Sequence, residues 1–517
     1  MHPERLESLL QPERYPETTT TVRHLQTHIS HLFLTDQHVY KVKKEVDFGF
    51  LDFTSLEKRR YFCHEELRLN RRLSPDIYLG VVELRDDGAG GLSFSGEGAV
   101  LEYAVKMRRL PEERMLSRLL DERQVTVADV EMIATVVARF HAAAAHNAQI
   151  DSFGSLAAIR GNWLENLRQT APYCGSTLLP ADHQLIGDWA LTNLDHLAEQ
   201  FERRVHDGFI RECHGDLHSE NICLDGQVHI FDCIEFNERF RYSDTAADVA
   251  FLTMDLENNG RRDLAERFAA AYCEESGDAG LPAVLPFYLV NRAVIRGKVE
   301  SFRLDDPAIP ADEKRAAATR ARCFFRLARG YVVRRRLPCS LLLTCGPTGC
   351  GKSAFAAELA FQLGLKQLQS DRERKLLAGV PATERTADIY SEAWNQAVYE
   401  RLAGLAAAEL ATGRSVLVDA TFRRRLDREL FIRLAANLGV PLVIFGLSCP
   451  TKLVRQRLMQ REQSGDSISD GTWLIYQQHM AAFEPPDPAE ALLVPLDAAQ
   501  PVTAMVDQAL IGLNLLS

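Results

Sequence analysis

The stretch that most constrains this chain is Leu341-Leu-Leu-Thr-Cys-Gly-Pro-Thr-Gly-Cys-Gly-Lys-Ser353. An apolar run leads into Gly346-x-x-x-x-Gly351-Lys352-Ser353 and then into Ala354–Phe361, a helix-forming run. Strand, glycine-rich loop and helix in that order predict a phosphate-binding loop (P-loop). Gly346, Pro347, Thr348, Gly349, Cys350 and Gly351 would turn backbone N–H groups inward around phosphate oxygens at a helix N-terminus. Lys352 would reach the β- and γ-phosphates, and the Ser353 hydroxyl would ligate Mg²⁺. Such a loop opens its domain, so the long segment upstream must do something else.

The chain has 517 residues, enough for two to four domains with cores of their own. Its net charge of −11 argues against broad nucleic-acid coating but leaves room for a local basic groove. The 11 cysteines include no CxxC pair and no zinc spacing. With the P-loop they read as reduced cytoplasmic thiols. Met1–Leu10 is charged and lacks an apolar core, so no signal peptide is expected. No apolar run approaches about 18 residues, so no membrane span is expected either.

Upstream, Ile29–Thr35 and His38–Lys44 flank an Asp36-Gln37 turn and predict a hairpin. Lys41 and Lys43 fall on one strand face. Alone they read as solvated edge lysines. A helix over Leu56–Leu73 carries Glu66, however, and a strand lysine with a helix glutamate is the pair that holds ATP phosphates in kinase-like folds. Ile77–Leu84 and Gly98–Arg109 would complete a small antiparallel sheet, leaving through a hinge at Met107–Leu110. Glu112 to about Arg204 reads as helical scaffold, with helices at Val127–Ala145, Trp163–Gln169 and His183–Arg204.

A second informative stretch is Arg211-Glu-Cys-His-Gly-Asp-Leu-His-Ser-Glu-Asn-Ile-Cys-Leu224, followed by Gln227–Phe236. Asp216 and Asn221 stand five apart. That spacing suits a carboxylate taking the acceptor hydroxyl's proton and an amide oxygen on Mg²⁺. Asp232 closes an apolar strand as the second metal ligand.

His214-Gly-Asp-Leu-His-x-x-Asn-Ile followed by Ile230-Phe-Asp resembles the aminoglycoside phosphotransferase and choline/homoserine kinase group. The resemblance covers roughly residues 20–330 and implies a bilobal fold with ATP between the lobes. It makes Asp248, in Asp244-Thr-Ala-Ala-Asp-Val-Ala250, the support of the catalytic loop. It places Asn291, Arg292, Arg296 and Lys298, on a helix over Tyr288–Arg303, where the acceptor binds. The chain departs from kinases in having Thr27-His28-Ile29-Ser30 in place of a G-x-G-x-x-G loop, and Asp232-Cys-Ile for D-F-G. Pro338 and the triple Arg334–Arg336 mark a linker at 331–338.

Beyond the P-loop, Ser415-Val-Leu-Val-Asp419 is an apolar strand ending in the carboxylate that would hold Mg²⁺. Pro441–Leu447 is another buried strand, and alternation with helices implies a parallel sheet. Arg457 and Arg461 share a helix face and would form a lid over the transferring phosphoryl group. With Ser370-Asp371-x-x-Arg374-Lys375, this stretch resembles small P-loop kinases: polynucleotide 5′-kinases, zeta-toxin-like kinases, and gluconate or chloramphenicol kinases. That resemblance, over about residues 339–500, makes Asp371 the base for the acceptor hydroxyl and Arg374 its grip.

Together the two halves resemble a bacterial fusion of an aminoglycoside-phosphotransferase-like domain with a P-loop ATP-binding domain. The expected architecture is an α+β bilobal kinase-like domain over residues 1–330, then an α/β P-loop domain with a parallel sheet over residues 339–517. The expected function is two ATP·Mg²⁺-dependent phosphotransferases acting on hydroxyl groups. The first would take a sugar-like or anionic metabolite. Two alternatives stand beside it: a polynucleotide 5′-hydroxyl kinase in the C-terminal module, with a basic groove at Arg372–Lys375 and Arg423–Arg428, or one module sensing ATP to regulate the other.

Overall fold

The computed structural model describes residues 3–49, 51–307, 309–381, 389–464 and 471–516. They form two compact units, Met1–Phe325 and Arg326–Ser517. The division falls inside a continuous helix, Ala311–Val333, ahead of the linker read from Pro338 and the arginine triplet.

The first unit opens with strands β1 (Arg23–Gln26), β2 (Ser30–Leu34), β3 (His38–Lys43), β4 (Tyr78–Asp86), β5 (Leu92–Ser93) and β6 (Val100–Arg108). They form an antiparallel sheet in the order β1-β2-β3-β6-β4-β5. The predicted hairpin is β2 and β3, in register Phe33↔Tyr40. β3 is therefore an inner strand, and its lysines are not solvated edge residues. Strand alternation sends Tyr40 and Val42 into a core with Phe33, Leu84, Leu92 and Ala104. Lys41 and Lys43 go to the opposite face, toward the Leu56–Asn70 helix.

Past Arg108 the unit becomes helical, with two short ladders. One pairs β7 (Ile210–Glu212) with β10 (Tyr242–Asp244). The other is the hairpin of β8 (Ile222–Leu224) and β9 (Val228–Ile230). That hairpin carries the chain from Asn221 to Asp232. The expected His183–Arg204 helix is two helices, Pro180–His196 and Ala198–His206, joined at Leu197. On the second, Arg204 is buried between Asp244 at 2.6 Å and Asp278 at 2.8 Å.

The second unit is a five-stranded, all-parallel sheet of β11 (Leu341–Cys345), β12 (Lys366–Gln369), β13 (Val416–Asp419), β14 (Leu442–Ser448) and β15 (Leu492–Asp497). The order is β12-β13-β11-β14-β15, which sets β11 in the middle. All of β11 and β13 is buried, as continuous apolar runs in a parallel sheet require. Leu341, Leu343, Val416, Val418 and Ile444 pack against Val398, Leu402, Ala406 and Phe431 from flanking helices. Each such Val, Leu, Ile or Phe side chain contributes roughly 1.5–3 kcal/mol on burial. Among the described residues, no helix is long and apolar enough to cross a membrane.

Candidate functional site

In the first unit, β3 and the Leu56–Asn70 helix set one carboxylate between two lysines. Lys41 Nζ lies 2.8 Å from Glu66 Oε1 and 2.5 Å from Asp232 Oδ1. Lys43 Nζ lies 2.7 Å from Glu66 Oε2 and also meets Glu235. Burial would push the Lys41 ammonium down, but Asp232 and then Glu66 overcome it and hold it well above its ordinary value. Burial likewise opposes the Glu66 charge, and Lys41 and Lys43 outweigh it, holding the carboxyl well below its ordinary value. Lys41 lines the cleft and Lys43 is enclosed, so only Lys41 faces a ligand. The sequence reading missed Glu235 and the structural part of Lys43; the alternation of β3 carried the signal.

The loop after β7 gathers the second group. Asn221 donates from Nδ2 to the Asp216 carbonyl at 3.0 Å and to Asp216 Oδ2 at 3.2 Å. This leaves the Asn221 amide oxygen for another ligand. His218 Nε2 lies 3.2 Å from Asp216 Oδ2. Burial would raise the Asp216 carboxyl, but His218, Arg296 and His214 hold it well below the usual range. Asp232 sits at φ 63°, a conformation costly for a non-glycine residue and common at functional sites. Its backbone N–H donates to the Tyr78 hydroxyl at 3.0 Å. Asp248 accepts from the N–H groups of His214 at 2.7 Å and Gly215 at 2.9 Å, with His141 Nε2 at 3.3 Å. It supports the loop from beneath and does not line the cleft.

Lys41, Met107, Asp216 and Asp232 line one cleft of about 1610 Å³. Thr27, His28 and Ile29 roof it where a glycine-rich loop was absent from the sequence. This turn is closed by Thr27 N–H to the Ser30 carbonyl at 2.9 Å and by Lys44 Nζ to the Thr27 carbonyl at 2.6 Å. Arg292, expected beside the acceptor, is buried and braces the catalytic loop. It donates to the Ala247 carbonyl at 3.0 Å and the Gly215 carbonyl at 3.4 Å. The oxygen donors of Asn221 and Asp232 are the hard ligands that Mg²⁺ takes.

In the second unit, the loop between β11 and the Lys352–Leu363 helix holds Gly349 at φ 77° and Gly351 at φ 102°. A Cβ on Gly349 would approach Leu458 to 2.8 Å, so close packing as well as backbone geometry requires glycine there. Lys352 Nζ folds onto the loop and donates to the Pro347 carbonyl at 2.8 Å. Asp419, at the end of β13, accepts from Thr344 Oγ1 at 3.1 Å and Gln367 Nε2 at 3.2 Å. Burial raises its carboxyl above the ordinary value, against Lys352 and a hydrogen bond from Ser353, while the charge of Asp371 adds to the rise. Ser353 and Asp371 thus both act on the Asp419 carboxyl.

Two arginines lie differently from expectation. Arg457 donates to the Cys350 carbonyl at 3.0 Å and the Ala498 carbonyl at 2.9 Å, so its guanidinium ties the P-loop to the segment after β15. Arg461 stands one turn further along the same helix, Thr451–Ser464. Arg374 is buried, stacks over Tyr390 at 4.7 Å and donates to the Ile389 carbonyl at 3.0 Å. The basic groove also disperses. Lys375 and Arg428 are buried, and Arg424 pairs with Glu392 at 2.5 Å and Asp427 at 3.2 Å.

The chain is similar to known proteins in both halves. The phosphotransferase enzyme family (APH) matches residues 46–287, and an AAA domain family (AAA_33) matches residues 341–486. An uncharacterised protein of Mycobacterium tuberculosis is 32% identical over 450 residues, spanning 84% of this chain and 85% of its own length. A Mycobacterium bovis protein matches to the same extent. Among solved structures, a choline/ethanolamine kinase family protein from Mesorhizobium loti is 12% identical, with a TM-score of 0.37, covering 62% of this chain and 93% of its own. A sugar kinase from Janibacter is 21% identical, with a TM-score of 0.28, covering 34% and 96%.

Proposed function

The chain belongs to the family that joins an APH phosphotransferase domain to an AAA-type P-loop domain, and from that premise we propose two hydroxyl-directed kinase sites on one chain. The first lies within residues 1–330 and acts on a small sugar-like or anionic metabolite; the second lies within residues 339–517. The observation that carries this reading is the convergence of Lys41, Asp216 and Asp232 on a single cleft, with Glu66 and Asn221 behind them.

In the first site ATP would lie beneath the Thr27–Ser30 turn, against Met107. Lys41, poised between Glu66 and Asp232, would bind its phosphates. Asp216 is held too acidic to store a proton. Its work is to orient the acceptor hydroxyl and take the proton late, as bond formation to phosphorus makes that proton acidic. Asn221 and Asp232 would hold Mg²⁺, which when bound neutralises charge on the transferring phosphoryl group. Catalysis then rests on positioning and charge, with no covalent intermediate on the protein.

In the second site the loop N–H groups and Lys352 would hold the nucleotide phosphates. Ser353 and Asp419 would hold Mg²⁺, and Asp371 would orient the acceptor. Arg374 would shape that pocket through its stack on Tyr390, and Arg457 would fix the loop while Arg461 approaches from the same helix.

The test is transfer of labelled γ-phosphate from ATP into a fractionated metabolite pool by wild type, Asp216→Ala and Lys352→Ala. Two different products, each lost in one variant, are expected. Loss of one shared product in both variants would place the sites in series. A wild type that binds ATP and labels nothing would replace two kinases with a nucleotide sensor.

A further inference from the structure

Two helices line one end of the first cleft, the first with a polar stripe and the second with a mixed one. From Leu156–Thr170, the residues lining the cleft include Asn162, Glu165, Asn166 and Gln169. Their spacing of three, four and seven makes them one helix face. From Leu281–Phe302, Asn291, Ile295, Lys298 and Phe302 form the facing stripe by the same spacing. Trp163 and Ile159 of the first helix are buried and add apolar surface to the cleft wall.

The two stripes meet at Lys298. Its Nζ donates to Asn166 Oδ1 at 2.7 Å and to Gln169 Oε1 at 2.9 Å, and lies 5.8 Å from the Phe302 ring centroid. An ammonium has three donors, and these neutral amide oxygens use two. The other cations at this end have acid partners. Arg239 meets Glu165 at 2.6 Å, and Arg296 lies 3.7 Å from Glu220. Among the described residues, Lys298 has no carboxylate within 4.0 Å. Burial pulls its ammonium down to about 8, with Arg239 adding to the fall and Glu165 opposing it. A half-buried cation without a counter-ion, held in place by two amides, is costly unless a ligand supplies the charge.

Resting on the kinase reading of this cleft, we propose that Lys298 binds an anionic group, carboxylate or phosphate, on the polyhydroxylated acceptor of the first site. Arg292 lies on the same helix against the Gly215 carbonyl, next to Asp216. Asp216 and Lys298 both line this one cleft, so a single acceptor molecule can meet both. The amide N–H groups of Asn162 and Asn166, whose oxygens accept from Arg239 and Lys298, and the amide of Asn291 would meet the hydroxyls between.

The test uses the full chain and matched acceptors: glucose, gluconate and glucose 6-phosphate. Binding is followed by calorimetry with wild type, Lys298→Met, Lys298→Arg and Asp216→Asn, and turnover by ADP release. Gluconate or glucose 6-phosphate should bind at least 10-fold more tightly than glucose, and which of the two does so distinguishes carboxylate from phosphate. Lys298→Met should abolish that preference, Lys298→Arg should restore part of it, and Asp216→Asn should keep it. The effect should fall on KM for the acceptor, with KM for ATP unchanged. Equal binding of the neutral sugar, no binding of any of the three, or an unchanged preference in Lys298→Met overturns the proposal. A charge preference that depends on Lys298 without ADP release would leave the anion site standing and remove the kinase reading instead.

Discussion

Lys41 and Lys43 grip the two oxygens of one carboxylate, at 2.8 Å from Glu66 Oε1 and 2.7 Å from Glu66 Oε2. The two lysines are not equivalent, because Lys41 also reaches Asp232 in the cleft, whereas Lys43 is enclosed with Glu235. Lys41→Met should leave Glu66 paired and the fold intact, while ATP turnover at the first site falls at least 100-fold. Lys43→Met leaves the buried Glu235 carboxylate without its lysine and should cost about 3–5 kcal/mol. Thermal unfolding of both variants beside ADP release separates the roles. A stable Lys43→Met protein would show that Lys43 is dispensable to the fold.

Asp248 sets the geometry of the catalytic loop through two backbone N–H groups. Burial opposes its charge, and the hydrogen bond and charge of His141 bring the carboxyl down to about 2. A folded-state value below the unfolded one, about 3.9, gives stability that is complete above the unfolded value and lost as pH falls toward the folded one. Wild type should therefore lose stability between about pH 4 and pH 2, and Asp248→Asn should lose less over that window. The amide cannot accept from both loop N–H groups, so the variant should be about 1–3 kcal/mol less stable at neutral pH. Chemical denaturation across pH measures both effects.

The parts of these sites that were legible in the sequence are those whose geometry is local. Gly346 to Ser353 fixes its own shape, and Asp216, Asn221 and Asp232 are joined by a loop and one short hairpin. What escaped depends on which helix face meets which cavity. The stretch with Asn166 and Gln169 read only as scaffold helix, because nothing in it shows that the helix carrying Lys298 packs opposite. Arg292 and Arg457 looked like ligand-binding cations because sequence spacing does not reveal that backbone carbonyls already occupy them. β15 escaped too, since Leu492–Asp497 alternates buried and exposed positions at a sheet edge.

The bonds from Arg457 to the Cys350 and Ala498 carbonyls predict a kinetic signature. A residue that positions the loop should act on nucleotide binding, whereas a lid residue that meets only the transition state should act on kcat. Arg457→Ala should raise KM for ATP at the second site about 10-fold with a smaller change in kcat. Arg457→Lys, which cannot span both carbonyls, should behave similarly. A fall in kcat with KM for ATP unchanged would return Arg457 to the lid.

The polynucleotide alternative for the second site needs an exposed basic groove, and its residues are largely committed elsewhere. Arg428 is buried, lies 2.6 Å from Glu490 and donates to the carbonyls of Phe422 at 3.0 Å and Glu484 at 2.9 Å. It therefore ties the turn after β13, where Phe422 sits at φ 45°, to the segment that precedes β15. Arg428→Ala should lower stability by about 3–5 kcal/mol by leaving Glu490 and these carbonyls without their donor. It should not weaken a nucleic-acid interaction, because Arg428 is buried against Glu490 and only Arg372, Arg423 and Arg425 of that groove are left accessible and outside close pairs. Oligonucleotides with a free 5′-hydroxyl should take up no labelled phosphate, and their binding should show little dependence on salt. Binding through several phosphate contacts would instead fall steeply with ionic strength, by about one power of salt concentration per contact. A steep salt slope together with 5′ labelling that Lys352→Ala abolishes would establish the polynucleotide reading in place of a small-molecule acceptor.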